Sequence, residues 1–427
     1  MLLRQESRVV RQESRVGHGT QREDRLFTAC VAVGMLHAVD DALLNRQPGV
    51  PVTQHLLALL AVTVGAALGV FAFPRMRPGL RSALALVAGS LMATNGAMHV
   101  LQAFYSSIRG SDWTGMLAAA AGLVLVALAA YIPFHHRGEL PLPVGRRWAR
   151  RGFAVVTGVI ASQFVLAPFL VAVVQTHKYR EDVGEPPAGF APVAFSSTDD
   201  LRLSGWYRPS QNGAAVVIVN SARGDRKKSG QHAELLGRHG YGVLMYDARG
   251  TGQSEGAPNG WGWEWEHDVA GAVDFLQTRP EVEDDRIGGL GLSTGADVLI
   301  EVAAKNPDMR AVVGDGATQR SFADRPPGVQ HIPLAFTMVA AGQLFSGTSP
   351  GEPLVELIAE AAPTPILLVA AGSMPMELSA GDRYAAAGSS TSLLRLPEVA
   401  HTEAVREVPA LYERRVIGHL DAALLGR

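Results

Sequence analysis

Cysteine is all but missing from this chain. Cys30 is the only one in 427 residues, so no disulfide can close within the chain and no cysteine-based metal cluster can form. A strong net charge is missing as well. The formal charge of −2 and the pI near 6.7 leave no basic excess to hold a polyanion, so nucleic acid is not expected as a partner. No cofactor and no metal is expected. Charged side chains make up only 18% of the residues and mean hydropathy is +0.12, high for a soluble enzyme. The apolar excess lies before residue 176. A chain of this length is expected to hold two or three domains.

Residues 1–25 are polar and rich in arginine, and RQESRV occurs twice, at Arg4–Val9 and Arg11–Val16. They read as a solvated cytoplasmic tail. Five apolar segments follow across residues 26–175, at roughly Leu26–Leu44, Val52–Phe73, Ser82–Phe104, Trp113–Phe134 and Phe153–Val174. Each approaches the ~20 residues that cross a bilayer core as a helix. Most carry no charges at helical spacing, which argues against a soluble bundle. The first begins too far into the chain, and is followed by too many others, to be a cleaved signal peptide. Arginine-rich and arginine-poor loops alternate. The tail, Arg75–Arg81 and Arg137–Arg151 are rich, whereas the loops holding Arg46 and Arg109 are poor. The positive-inside rule then puts the N-terminus in the cytoplasm, and five crossings put everything after residue 175 outside. The expectation is an integral protein of the cell membrane, with the lipid bilayer as a partner.

Two of these segments carry polar groups on one face. His37, Asp40 and Asp41, with Asn45, share a face of the first; Asn95 and His99, with Gln102, share a face of the third. Ionisable groups at such depth are costly and often functional. They can bind a metal, relay a proton or meet a lipid headgroup, or simply clamp two helices near a wet interface. Residues 176–190 form a short polar linker that reaches at most roughly 50 Å, so the domain beyond it works close to the membrane.

From residue 191 to 427 strand and helix signals alternate, which argues a mostly parallel sheet covered by helices on both faces, with functional groups at the carboxyl ends of the strands. Within it, Gly291-Leu292-Ser293-Thr294-Gly295 has the pattern G-x-S-x-G between a short strand, Arg286–Leu290, and a helix, Ala296–Lys305. A serine in that turn has its hydroxyl pushed into the open above a helix N-terminus. Of the histidines that follow, His331 lies in an irregular segment and His419 inside the final helix. His401 sits just past the strand Leu393–Leu396, at the rim where a base facing Ser293 belongs. The acid that orients His401 is expected in the loop after Pro365–Ala370. Glu377 is the first carboxylate there, with Asp315 and Asp382 as alternatives. Asp247 and Arg249 read as structural, and Trp261, Trp263 and Trp265 as packing where a loop meets its helix.

Residues 191–427 resemble the α/β-hydrolase family, near its serine-peptidase-like and acyl-hydrolase branches. Leu203–Tyr207 is similar to the family's second strand, Gly240–Ser254 (GYGVLMYDARGTGQS) to its strand-four signature, and Gly291–Gly295 to its nucleophile elbow. The order Ser293, Glu377, His401 matches the family order of nucleophile, acid and histidine. The resemblance implies an oxyanion hole made by the backbone of Thr294 and of Ser221 or Ala222. There the chain departs from the family, which usually has His-Gly after the third strand; here the place reads Asn220-Ser221-Ala222-Arg223-Gly224. A cap segment over Ser293 is expected at about 318–362.

The expected protein is a five-helix transmembrane domain followed by an α/β-hydrolase domain. Its expected activity is a membrane-anchored serine hydrolase that cleaves an acyl ester or small amide, from a small molecule or lipid, through an acyl-enzyme. Two alternatives use the same residues differently. An acyltransferase would exclude water, and a non-catalytic hydrolase-fold binding domain would serve a membrane sensor or transport module.

Overall fold

The computed structural model describes the chain apart from residues 1, 47–48, 106–107, 109, 137–143, 178–181, 223, 318, 325–332 and 374. The chain divides into a helical unit, Met1–Arg46, Pro51–Tyr179 and Ala340–Gly347, and an α/β unit, Gln47–Val50, Arg180–Val339 and Thr348–Arg427.

The helical unit is built from α1 (Leu2–Val39), α2 (Val52–Ala72), α3 (Pro78–Tyr105), α4 (Asp112–His135), α5 (Val144–Ala161) and α6 (Ala167–Thr176). The arginine-rich start of the chain is one helix with the first apolar segment, since Arg, Gln and Glu are good helix formers. Among the described residues four stretches are long and apolar enough to cross a membrane: Thr20–Leu44, Val52–Arg75, Pro78–Gln102 and Asp112–His135. The fifth expected span is not among them. That stretch is α5, a π-helical turn over Ser162–Leu166, and α6; among the described residues Ser162–Thr176 is a shorter apolar helix. Arg146, Arg147, Arg150 and Arg151 occupy the first half of α5 and precede the expected span Phe153–Val174. The helical stretch still ends beside the π-helical turn Asp40–Leu44 that continues α1, where His177 Nε2 stands 3.8 Å from Asp41 Oδ2.

Glycines let α3 and α4 pack backbone to backbone. A Cβ on Gly89 would lie 2.7 Å from the Gly122 carbonyl oxygen, so only a hydrogen fits there. Toward the start of α3, Arg81 is buried between Glu23 (3.1 Å) and Asp24 (2.5 Å) of α1.

Among the described residues the α/β unit holds one eight-stranded sheet. Its strands are β1 (Ala191–Ser196), β2 (Arg202–Arg208), β3 (Ala215–Val219), β4 (Gly242–Tyr246), β5 (Ile287–Leu292), β6 (Ala311–Asp315), β7 (Ile366–Ala371) and β8 (Thr391–Leu396), in the order β1-β2-β4-β3-β5-β6-β7-β8. β1 and β2 form the expected hairpin, β2 pairs antiparallel with β4, and the rest is parallel. The helices that follow in the chain are α7 (Gly230–Arg238), α8 (Trp265–Gln277), α9 (Thr294–Lys305), α10 (Pro333–Ser346, whose second half belongs to the helical unit), α11 (Leu354–Glu360), α12 (Pro375–Ala387), α13 (Ala404–Glu407) and α14 (Pro409–Leu420). α10 and α11 fall in the expected cap segment; His331 lies outside the described residues.

Both faces of the sheet are buried. Ala215, Val217 and Val219 of β3 belong to one core with Val298 and Leu299 of α9, while Val216 and Ile218 belong to the other with Leu236 of α7 and Val416 and Leu420 of α14. Double burial is why β3 and β7 are unbroken apolar runs. It also leaves the carboxyl ends of the parallel strands as the place where polar groups can gather.

Candidate active site

Ser293 connects β5 to α9 with φ 53° and ψ −117°, a backbone conformation that a residue with a Cβ adopts only under constraint. The constraint is visible. The Ser293 N–H donates to the Asp315 carbonyl at 2.7 Å, and the Ser293 carbonyl accepts from the Ala296 N–H at 2.8 Å. The neighbouring glycines are required by space. A Cβ on Gly295 would overlap the Val219 carbonyl, and one on Gly291 would overlap the Gly295 backbone. The side chain of Ser293 is partly exposed at the head of α9.

His401 lies in the turn after β8, and its Nδ1 donates to Glu377 Oε2 at 2.6 Å. Glu377 is fully buried, and its Oε1 accepts the Ala371 N–H at 2.7 Å. The glutamate is not in an open loop, as the sequence suggests, but in the first turn of α12. The His401 N–H donates to Ser373 Oγ at 3.0 Å, which fixes the backbone of the turn. The imidazole rests on Gly316 (φ +82°), where a Cβ would lie 2.7 Å from Cε1 and 3.0 Å from Nδ1. Gly316 follows Asp315, the residue that receives the Ser293 N–H. The serine turn and the imidazole are therefore seated on one turn at the end of β6. Gly316 is absent from the sequence reading, although a glycine directly after an apolar strand is a signal for close approach.

A carboxylate only accepts, so the proton of neutral His401 lies on Nδ1, and Nε2 is left to receive one. The hydrogen bond to Glu377 raises the His401 pKa above the usual histidine range, against the opposing effect of burial.

The two alternative acids are placed elsewhere. Asp382 is exposed on α12 and ion-pairs with Arg395. Asp315 is fully buried, and neither of its carboxylate oxygens makes a well-formed hydrogen bond. Burial pushes its pKa up to about 7; Tyr412 lies close enough to favour the ionised form, but its hydroxyl is itself without a well-formed partner.

Thr294 is the first residue of α9, where backbone N–H groups have no intrahelical acceptor. Ser221 and Ala222 follow β3, and the Gly224 N–H donates to the Ser221 carbonyl at 2.9 Å to close a turn there; Arg223 lies outside the described residues. Asp247 ties this loop to the one after β4, accepting the Arg226 N–H (2.9 Å) and the Gln253 N–H (2.9 Å). Arg249 is buried against Asp268 (2.7 Å) and Asp199 (2.8 Å). The loop before α8 lies against Thr294, whose Oγ1 donates to the Gly260 carbonyl at 3.5 Å, and in it Trp261 stacks on Trp263 with ring centroids 4.8 Å apart.

In the helical unit, His37, Asp40 and Asp41 do gather with His99. They are joined by Ser111, which caps α4, by Asp112 and Thr114 of α4 and by His177, all absent from the sequence reading. Asn95 has a buried Oδ1 without a hydrogen-bond partner.

A family model described as X-Pro dipeptidyl-peptidase (S15 family) matches residues 204–366, which takes in Ser293 and ends before Glu377 and His401. The Mycobacterium tuberculosis protein Rv2307c is 32% identical over 243 residues, 55% of this chain and 78% of its own. YfhR of Escherichia coli K12 is 27% identical over 300 residues, 67% of this chain and 99% of its own. Among solved structures, the Pyrococcus furiosus esterase Pf2001 is similar at 20% identity and a TM-score of 0.46, covering 57% of this chain and 97% of that one. The chain belongs to the α/β-hydrolase family, its hydrolase domain preceded by apolar helices that fit a membrane region.

Proposed function

We propose that this protein is a serine hydrolase that cleaves an acyl ester or small amide and is held at a membrane by its N-terminal helices. Ser293 Oγ attacks the acyl carbonyl while His401 Nε2 takes its proton. His401 then gives that proton to the leaving group, and water releases the acyl-enzyme by the same route in reverse. Glu377 holds the tautomer that makes Nε2 the acceptor. The Thr294 amide and one from Ser221 or Ala222 receive the developing oxyanion; losing one such donor costs about 3 kcal/mol of transition-state stabilisation. The observation that carries this reading is the 2.6 Å Glu377–His401 hydrogen bond, made by an imidazole seated on the same turn that accepts the Ser293 N–H.

The substrate we favour is amphiphilic, because a short linker keeps the α/β unit near the bilayer. The N-terminus is cytoplasmic in this reading, and the hydrolase lies on the opposite side. The arginine-rich loops support the first statement. The second is supported by the end of α6, which stands with His177 beside Asp41 at the far end of α1 from the chain start.

A fluorophosphonate probe that cannot cross membranes tests both parts. Applied to intact cells and to broken membranes, it labels wild type in both and Ser293→Ala in neither. Labelling only after breakage overturns the orientation alone. No labelling of well-folded wild type in either overturns the hydrolase reading and leaves a binding domain.

A further inference from the structure

The buried histidines of the helical unit have an unusual hydrogen-bond pattern. His37 Nδ1 faces Thr114 Oγ1 at 3.1 Å. Thr114 has one hydroxyl proton, and its two other neighbours, Asp40 Oδ2 (2.6 Å) and the Ser111 carbonyl (2.9 Å), can only accept it. Toward His37 the threonine oxygen must therefore accept, so Nδ1 carries the ring proton and Nε2 is a bare lone pair. His99 Nδ1 faces Asp112 Oδ1 at 3.0 Å, and the same reasoning leaves its Nε2 bare. Both rings are more than nine-tenths buried, at 2% and 7% exposure, and neither Nε2 has a hydrogen-bond partner. Buried lone pairs without a donor are costly.

The two rings stand edge to face with centroids 4.7 Å apart, and His177 adds a third ring 5.7 Å from His99, its Nδ1 also without a well-formed partner. Asp41 borders the group. Its Oδ1 accepts from Ser111 Oγ at 2.7 Å, and its Oδ2 faces His177. A histidine held on one nitrogen by a carboxylate or hydroxyl, with the other nitrogen bare, is the outer-shell arrangement of a metal-ligating imidazole.

We propose that His37 and His99, through Nε2, bind a divalent transition-metal ion of imidazole preference, zinc being the first to test, with His177 and Asp41 completing a four-ligand set. Among the described residues no three such donors already stand at metal-ligand spacing. His177 is the residue that turns in, since it follows the last turn of α6 and its side chain is 23% exposed. Bound there, the ion would join the ends of α1, α3 and α6.

The test uses the full chain in detergent, with an affinity tag that contains no histidine. After exposure to micromolar zinc and removal of excess, elemental analysis is expected to find one zinc per chain, and cobalt in its place is expected to give the visible absorption of a four-coordinate site. His37→Gln and His99→Gln are each expected to lose the ion, while His135→Gln, at the other end of α4, keeps it. Asp112→Asn leaves every imidazole in place and is expected to weaken binding about 10–100-fold. That variant carries the test if the histidine variants do not fold. A wild-type chain that holds no zinc overturns the proposal. So does zinc retained by both histidine variants, or an unchanged affinity in Asp112→Asn.

Discussion

Replacing Glu377 with glutamine changes one atom at the base of the proposed mechanism, and the structure dictates which way the new amide turns. Oε1 receives the Ala371 N–H at 2.7 Å, and a donor cannot face a donor, so the glutamine carbonyl must occupy that place. Its NH₂ then points at His401 Nδ1, where the native carboxylate accepts at 2.6 Å. Nδ1 is forced to become the acceptor, the ring proton moves to Nε2, and the nitrogen meant to take the serine proton already holds one. A tautomer error of this kind costs about 10⁴ in kcat, equivalent to about 5 kcal/mol. Loss of the carboxylate also removes the main cause of the raised His401 pKa. Since the base must be neutral to act, the acid limb of the rate profile should move to lower pH. The assay is kcat/KM on a chromogenic acyl ester across pH, beside a thermal melt to show that the variant is folded. A folded Glu377→Gln chain within about tenfold of wild type, with its acid limb unmoved, would refute the assignment of the acid.

Gly316→Ala should push the imidazole off its seat, because the new Cβ falls 2.7 Å from Cε1 at a φ of +82°; a displacement of about 1 Å predicts a loss of ~10² in kcat, read by single-turnover kinetics. Asp315 has a folded-state pKa of about 7, well above its unfolded value, so from about pH 4 to 7 the folded chain keeps a proton that the unfolded chain has lost. Its contribution to stability therefore falls as pH rises through that window, by at most about 4 kcal/mol. Asp315→Asn should flatten the slope in denaturant unfolding at pH 4, 6 and 8 while hydrolysis persists, and an unchanged slope refutes the buried-acid account.

The serine turn and the histidine were legible because each sits where a pattern changes. An apolar strand ends in Gly-x-Ser-x-Gly and a helix begins, and a second strand ends shortly before His401. Glu377 was named from position along the chain, but its setting was misjudged. Pro375 opens α12 as a proline does at a helix start, and that signal places Glu377 in a first turn. The helix also separates it from Asp382. Five residues apart, the two lie about 140° around the helix axis, so only one can face the buried histidine. The fifth expected span, Phe153–Val174, is not one of the four long apolar helices among the described residues; a π-helical turn over Ser162–Leu166 divides that stretch between α5 and α6, and apolar letters alone do not mark such a turn. Ser111, Asp112, Thr114 and His177 could not be assigned to the buried cluster in advance. They come from helix ends distant in sequence, and no periodicity links a residue on α1 to one that follows α6.

The five residues from Gly291 to Gly295 answer to two separate demands. Gly295 is fixed by the distance between α9 and the backbone of β3, and Gly291 by that between β5 and the first turn of α9; both distances are the same whether or not any acyl group is ever transferred. A descendant of this chain that had abandoned catalysis would be free to exchange the serine long before it could exchange either glycine. Among relatives, persistence of the glycines thus reports that the sheet and helix still meet, and only the middle letter, read together with residues 377 and 401, reports on chemistry.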